Sequence, residues 1–283
     1  MNDLATLSAP HLLEGVPETI VRTDPFAHLV LKPAVPADLF AELERGFPSL
    51  EKVAGAGPWP SNKAVRLNAT QVLADSSIPG IWRDFFAHHV SGAYWRDVVR
   101  LFGGEMRRLF PGLEEKVGRP LEDWRVVRRG AGEPHDIRLD CQFVVNTPVT
   151  EVSSVKGAHI DVADKIFSAL FYFRDRADDS AGGNLELYRW KREPRFIKHK
   201  SLDRDVEKVT AVPYAANTFV AFVNSPYAVH GVSPRGITPI PRRYINFIAE
   251  LPEFFYEPKQ VTGLARLWHK LTDRSGGGGD EKY

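Results

Sequence analysis

The strongest constraint on the fold is a change of hydrophobic period near Trp124. From there onward the apolar residues come in short runs: Trp124–Val127, Ile137–Val145, Ile166–Phe173, Leu185–Trp190, Val209–Val212, Thr218–Val223 and Tyr244–Leu251. β-branched and aromatic residues are frequent in them, and Gly, Pro and Asn punctuate the gaps. Strands suit such runs better than helices, which need about 10–12 residues. A succession of short strands with turn signals between them predicts an all-β sandwich or barrel.

Ahead of Trp124 the period is helical. Residues up to about Thr23 mix Pro, Gly and polar side chains and read as an arm; Phe26 and His28–Leu31 read as a short strand. Pro36 and Asp38 then open a helix that places Leu39, Phe40, Leu43 and Phe47 on one face, and Gly46 and Pro48 end it. Gly55–Pro60 is a loop whose Trp59 is expected to pack, with a pocket-lining role as the alternative. After Pro79 come two apolar stripes, Ile81/Trp82/Phe85/Phe86 and Trp95/Val98/Val99/Phe102, the second continuing through Met106, Leu109 and Phe110 to the stop at Pro111-Gly112. His88 and His89 would point about 100° apart on a helix, which does not suit one metal ion, and they read as surface or satisfied histidines. The expected organisation is one domain over 1–272, with a mainly helical part at 21–123, a β core carrying the site at 124–252 and a segment at 253–272 with a helix at Leu264–Leu271. A Gly-rich, charged tail, 273–283, is expected to be disordered.

Charge and cysteine content narrow the function. Thirty-seven Lys and Arg against 36 Asp and Glu leave a net charge of +1, which gives no support to a general nucleic-acid or membrane-surface binder. The single cysteine, Cys141, rules out an internal disulfide and a Cys-rich zinc site, and its apolar neighbours make it a core residue. No apolar stretch approaches the roughly 20 residues of a membrane span, and MNDLATLSAP has neither a basic nor an apolar signal region. A cytoplasmic protein is the expectation.

The chemistry centres on Lys156-Gly157-Ala158-His159-Ile160-Asp161, which contains the one His-x-Asp of the chain. On a strand, the period of two places His159 and Asp161 on one face. An imidazole and a carboxylate so placed are two-thirds of the 2-His-1-carboxylate triad of non-haem Fe(II) oxygenases, although surface His-Asp pairs are common. Downstream, His199 lies in a basic run and His269 in the expected terminal helix. His230 follows the apolar strand Thr218–Val223 and the turn Asn224-Ser225-Pro226, which makes it the better second imidazole.

The order of these elements resembles the Fe(II)/2-oxoglutarate-dependent oxygenases, the prolyl-4-hydroxylase-like branch most of all. The matching pieces are His159-Ile160-Asp161, Gly182-Gly183-Asn184-Leu185-Glu186-Leu187, His230-Gly231-Val232-Ser233-Pro234 and Arg243-Tyr244, so the resemblance covers roughly Cys141 to Leu251. It implies an α+β chain with a double-stranded β-helix (jelly-roll) core and an N-terminal helical layer packed on it. It also implies Fe(II) held by His159, Asp161 and His230, with open positions for 2-oxoglutarate and O2. The far carboxylate of 2-oxoglutarate requires a planar, permanently charged donor. Arg243 aligns with the family's anchor, with Arg242 as the alternative, although the Pro-rich loop Arg235–Pro241 lengthens the usual spacing. Gln142 and Asn146, four residues apart and so on one strand face, could bond the co-substrate or equally satisfy backbone groups.

The basic run Arg189–Lys200 could meet an anionic substrate, but a charged hairpin loop balanced by Asp203, Asp205 and Glu207 is the simpler reading. Gly182-Gly183 opens a strand and is no phosphate cradle. The expected activity is hydroxylation of a small molecule or a sugar or lipid building block, with a protein prolyl or asparaginyl target as the alternative. Retention of Asp161 argues against halogenation. Ala249, six positions past Arg243, weakens a nucleic-acid demethylase reading. A cupin-like metal binder or isomerase without 2-oxoglutarate is the alternative from another class.

Overall fold

A computed structural model describes residues 11–201 and 203–261. The expected helix at Leu264–Leu271, with His269, and the expected tail at 273–283 lie outside the described residues.

The strands are β1 (His28–Leu31), β2 (Ala64–Asn68), β3 (Val126–Arg128), β4 (Ile137–Asn146), β5 (Lys165–Tyr172), β6 (Leu185–Trp190), β7 (Val206–Val212), β8 (Thr218–Val223), β9 (His230–Val232) and β10 (Arg242–Glu250). The α-helices are α1 (Ala37–Arg45), α2 (Leu50–Ala54), α3 (Ala69–Ala74), α4 (Gly80–His89), α5 (Gly92–Leu109) and α6 (Leu113–Val117). The larger sheet runs β1-β8-β5-β10-β4-β2, with β3 parallel to β4, and the smaller runs β7-β6-β9.

Two-sided burial explains why the central strands read as continuous apolar runs. On one face of the large sheet, Cys141, Phe143 and Val145 (β4), Phe167, Ala169 and Phe171 (β5), Phe219 and Ala221 (β8) and Ile245 and Phe247 (β10) join a single core with residues of α1, α4 and α5. On the other face, Leu170, Tyr172, Val220, Phe222 and Tyr244 meet Leu185, Leu187 and Val212 of the small sheet. This second interior holds the site.

α4 ties the two layers together. Trp82 is fully buried, packs its ring 4.7 Å from Phe143 and 5.4 Å from Phe173, and donates its indole N–H to the Leu43 carbonyl at 3.0 Å. Trp82→Ala is expected to cost about 3–5 kcal/mol of stability, measured by chemical denaturation, because the cavity opens between α1, α4 and β4.

His89 is satisfied, whereas His88 Nε2 is buried with no hydrogen-bond partner among the described residues. His88 stacks on His11, ring centroids 3.6 Å apart. The buried His89 uses Nδ1 against the Phe85 carbonyl at 2.7 Å, which leaves Nε2 to accept the Leu12 N–H at 3.5 Å. Burial holds its pKa well below the ordinary value. The folded chain therefore refuses a proton that the unfolded chain takes up below about pH 6.5, and stability must fall as pH drops through that value. Denaturation midpoints measured from neutral to mildly acidic pH should show this decline, with His89→Met flattening it by up to about 1.4 kcal/mol per pH unit.

Segments of weaker pattern escape the sequence reading. β2 is half-buried along its whole length, and β9 has only three residues. β10 begins at Arg242.

Candidate metal centre and anion pocket

The segment containing His159 runs antiparallel to the start of β9. The His159 N–H donates to the His230 carbonyl and the His230 N–H to the His159 carbonyl, both at 2.9 Å. The two histidines thus form one hydrogen-bonded pair of a β-bridge, with side chains projecting to the same face. Their rings lie 4.3 Å apart, centroid to centroid. Gly231 permits the approach: a Cβ there would sit 3.0 Å from the Gly157 carbonyl carbon.

Each imidazole is fixed by its own backbone. Nδ1 of His159 bonds the Gly157 carbonyl at 2.7 Å, and Nδ1 of His230 bonds the Ala228 carbonyl at 3.0 Å. These bonds place the ring proton on Nδ1 and leave both Nε2 lone pairs as ligands. Burial lowers both pKa values, favouring the neutral, metal-binding form. Phe222 adds to the apolar wall, its ring 4.7 Å from that of His230.

Asp161 completes the group. Ligand atoms of His159, Asp161 and His230 all lie within 4.8 Å of one another. Asp161 Oδ2 accepts the Ser168 hydroxyl at 2.7 Å, and Lys165 Nζ lies 3.9 Å from Oδ1. Burial works to raise the pKa of Asp161. The surrounding positive charge, that of Lys165 first, more than offsets it and holds the carboxylate well below its ordinary range. Neutral imidazoles and an ionised carboxylate, converging from one face, fit a divalent transition metal.

Along the same interior, away from this centre, lie Asn246, Tyr244 and Arg242 of β10, with Gln142 and Asn146 opposite them on β4. The Gln142 amide N–H donates to Asp140 at 2.7 Å, and its carbonyl accepts from Asn246 at 3.3 Å. Asn146 Nδ2 contacts Asn62 at 3.5 Å, and its Oδ1 has no partner among the described residues.

The expected anchor, Arg243, does not share this interior. It faces the helical layer, where it donates to the Phe173 carbonyl at 3.2 Å and pairs with Asp175 at 3.3 Å and Glu44 at 3.6 Å. The pairing of β10 with β4 and β5 sets this placement: Arg243 shares its face with Ile245 and Phe247, in the core beneath α1, α4 and α5. Arg242 is the inward residue. It is 2% exposed, its guanidinium carbon lies 4.6–5.1 Å from the ring centroids of Tyr172, Tyr214 and Tyr244, and Nε and Nη2 make no hydrogen bond among the described residues. Among the described residues no carboxylate pairs with it. A buried cation lined by ring faces suits an incoming anion.

No family model matches the chain, and no curated protein matches it. Solved structures do. A prolyl-4-hydroxylase from Pseudomonas putida is 14% identical over 83% of this chain and 98% of its own, with a TM-score of 0.43. An oxidoreductase of the 2OG-Fe(II) oxygenase family from Burkholderia pseudomallei is 14% identical over 82% and 86%, with a TM-score of 0.40. A protein from Shewanella oneidensis described as an oxygenase is 12% identical over 95% of both chains, with a TM-score of 0.45. Likeness this distant transfers no residue role, and the chemistry rests on the side chains themselves.

Several of those side chains carried no signal in the sequence: Lys165, Ser168, Tyr172, Tyr214 and Arg235. In the basic run, Arg189 pairs with Asp24 at 2.7 Å and with Glu207 at 3.3 Å, and Arg192 pairs with Asp205 at 3.1 Å. Its backbone supports the metal-site segment, with the Ile160 N–H donating to the His199 carbonyl at 3.0 Å. No helix among the described residues is long and apolar enough to cross a membrane.

Proposed function

We propose that this protein is an Fe(II)- and 2-oxoglutarate-dependent dioxygenase that hydroxylates a C–H bond of a small molecule or of a sugar or lipid building block. In this reading the two sheets are the walls of a double-stranded β-helix. The carrying observation is that one interior contains both a two-histidine, one-carboxylate centre and a buried arginine with no anionic partner among the described residues.

His159 Nε2, His230 Nε2 and one Asp161 oxygen would hold the iron, leaving positions for the keto-acid end of 2-oxoglutarate and for O2. Bound iron supplies the oxidative chemistry: O2, 2-oxoglutarate and substrate C–H become C–OH, succinate and CO2. The protein supplies geometry. Arg242 receives the distal carboxylate through a planar pair of donors, and the tyrosines around it keep the guanidinium from turning. Val220, Phe222, Leu185 and Leu187 keep the space between the sheets dry, which strengthens that contact. Ser168 and Lys165 orient Asp161 as an ionised ligand. Its carboxylate occupies the position a halide would need, which favours hydroxylation.

The deciding experiment adds Fe(II) and then 2-oxoglutarate to the protein without oxygen. A visible charge-transfer band that needs both additions is expected, followed by one succinate per O2 when substrate and air are admitted. Protein that binds Fe(II) but gives no band with 2-oxoglutarate would support a cupin-like metal protein instead.

A further inference from the structure

We propose that Arg235 is a second guanidinium of the distal-carboxylate site, so that the far end of the co-substrate is gripped by two arginines. The inference rests on the dioxygenase reading and names a residue that this reading does not require.

Arg235 is 1% exposed and lies in the loop between β9 and β10. Three contacts fix its plane: Nη2 donates to Asp178 at 2.8 Å and to the Ile240 carbonyl at 2.9 Å, and Nε donates to Ser180 at 3.1 Å. Nη1 has no partner among the described residues. A residue that served only to pin the loop would leave this donor buried at a cost.

Arg235 and Arg242 converge. Their guanidinium carbons lie 5.8 Å and 4.8 Å from the Tyr214 ring centroid, and Arg174 approaches the same ring at 5.5 Å. Gly183 sits between the two arginine stems, since a Cβ there would be 3.6 Å from Cδ of each. Gly182 brings the chain in: its φ is +82°, and a Cβ would lie 1.7 Å from the Pro234 carbonyl oxygen. The glycine pair thus acts as a spacer that lets β6 start against both arginines.

Charge completes the case. Three guanidiniums surround Tyr214, and Asp178, which also lies 3.4 Å from Arg174, is the one buried carboxylate paired with them among the described residues. Like charges so close and so buried repel strongly unless an anion joins them. The unpartnered atoms are Nη1 of Arg235 and Nε and Nη2 of Arg242. A carboxylate oxygen pair can use donors from two arginines at once.

The test compares two keto acids on anaerobic, Mn(II)-loaded protein by calorimetry. 2-Oxoglutarate and 2-oxopentanoate share the chelating head, but only the first carries a distal carboxylate. Arg235→Lys keeps a cation against Asp178 and loses the Nη1 donor. It is expected to weaken 2-oxoglutarate about tenfold and leave 2-oxopentanoate unchanged, because the loss is of one charge-assisted bond. Equal weakening of both acids, or of neither, overturns the proposal. If Arg235→Lys fails to take up Mn(II), Ser180→Ala replaces it: selective weakening of 2-oxoglutarate is again expected, and no selective change overturns the proposal. Loss of selectivity in Arg242→Gln but not in Arg235→Lys removes Arg235 alone from the site. Native protein that binds both acids equally overturns the co-substrate reading and the proposal together.

Discussion

Asp161→Ala is expected to lower Mn(II) affinity more than a hundredfold, measured by calorimetry without oxygen. Asp161 is the single anionic member of the three-residue centre, and its removal leaves Lys165 facing two imidazoles with no carboxylate between them. A divalent ion would then meet two neutral ligands and a nearby ammonium group, an arrangement that repels it. Asp161→Asn, which keeps the shape and drops the charge, should fall on the same side. Ser168→Ala, which removes only the hydroxyl that holds Oδ2, should cost about 10–100-fold, as supporting contacts to metal ligands generally do. Undiminished affinity in Asp161→Ala would remove the centre from consideration.

Arg242→Met is expected to weaken 2-oxoglutarate about a hundredfold, while Arg243→Ala changes it less than about threefold. Arg242 is buried among tyrosine rings with two unpartnered nitrogens, and a carboxylate placed there would gain two charge-assisted bonds in a dry interior. Arg243 is committed to Phe173, Asp175 and Glu44 on the opposite face. Its loss should appear as stability instead, about 1–2 kcal/mol, since its partners are partly exposed. A reversed ranking of the two variants in co-substrate affinity would sink the assignment of the anchor.

The adjacent arginines of β10 show what a sequence of this kind conceals. Adjacent strand residues face opposite ways, so the choice between Arg242 and Arg243 is a choice of face, which the register of β10 against β4 and β5 decides. Both arginines precede or follow plausible motif residues, and neither reveals its burial. The helices and core strands were legible because their apolar residues repeat: His28–Leu31, Leu185–Trp190 and Thr218–Val223 form strands with the bounds expected of them. His159, Asp161 and His230 were legible as residue types in order, and their convergence required the bridge between the two histidines. Lys165 was hidden by a register shift between Ala249 and Glu250, an irregularity that lets it and Ser168, three positions apart, both reach Asp161. Arg235 was hidden in a Pro-rich loop, because its side-chain partners Asp178 and Ser180 are distant in sequence.

The reciprocal backbone bonds between His159 and His230 have an evolutionary corollary. The spacing of the two imidazoles is inherited from the pitch of a β-bridge and does not depend on the chain that separates them. Length changes in loops that do not touch this segment can therefore accumulate without altering that spacing, whereas the hairpin between β6 and β7 is held to it through the His199 carbonyl, which accepts the Ile160 N–H. A one-residue slip at the bridge itself would turn an imidazole outward and end the chemistry in one step. The distance between the two imidazoles is therefore set where the histidines clasp, and the loops beyond answer for everything else.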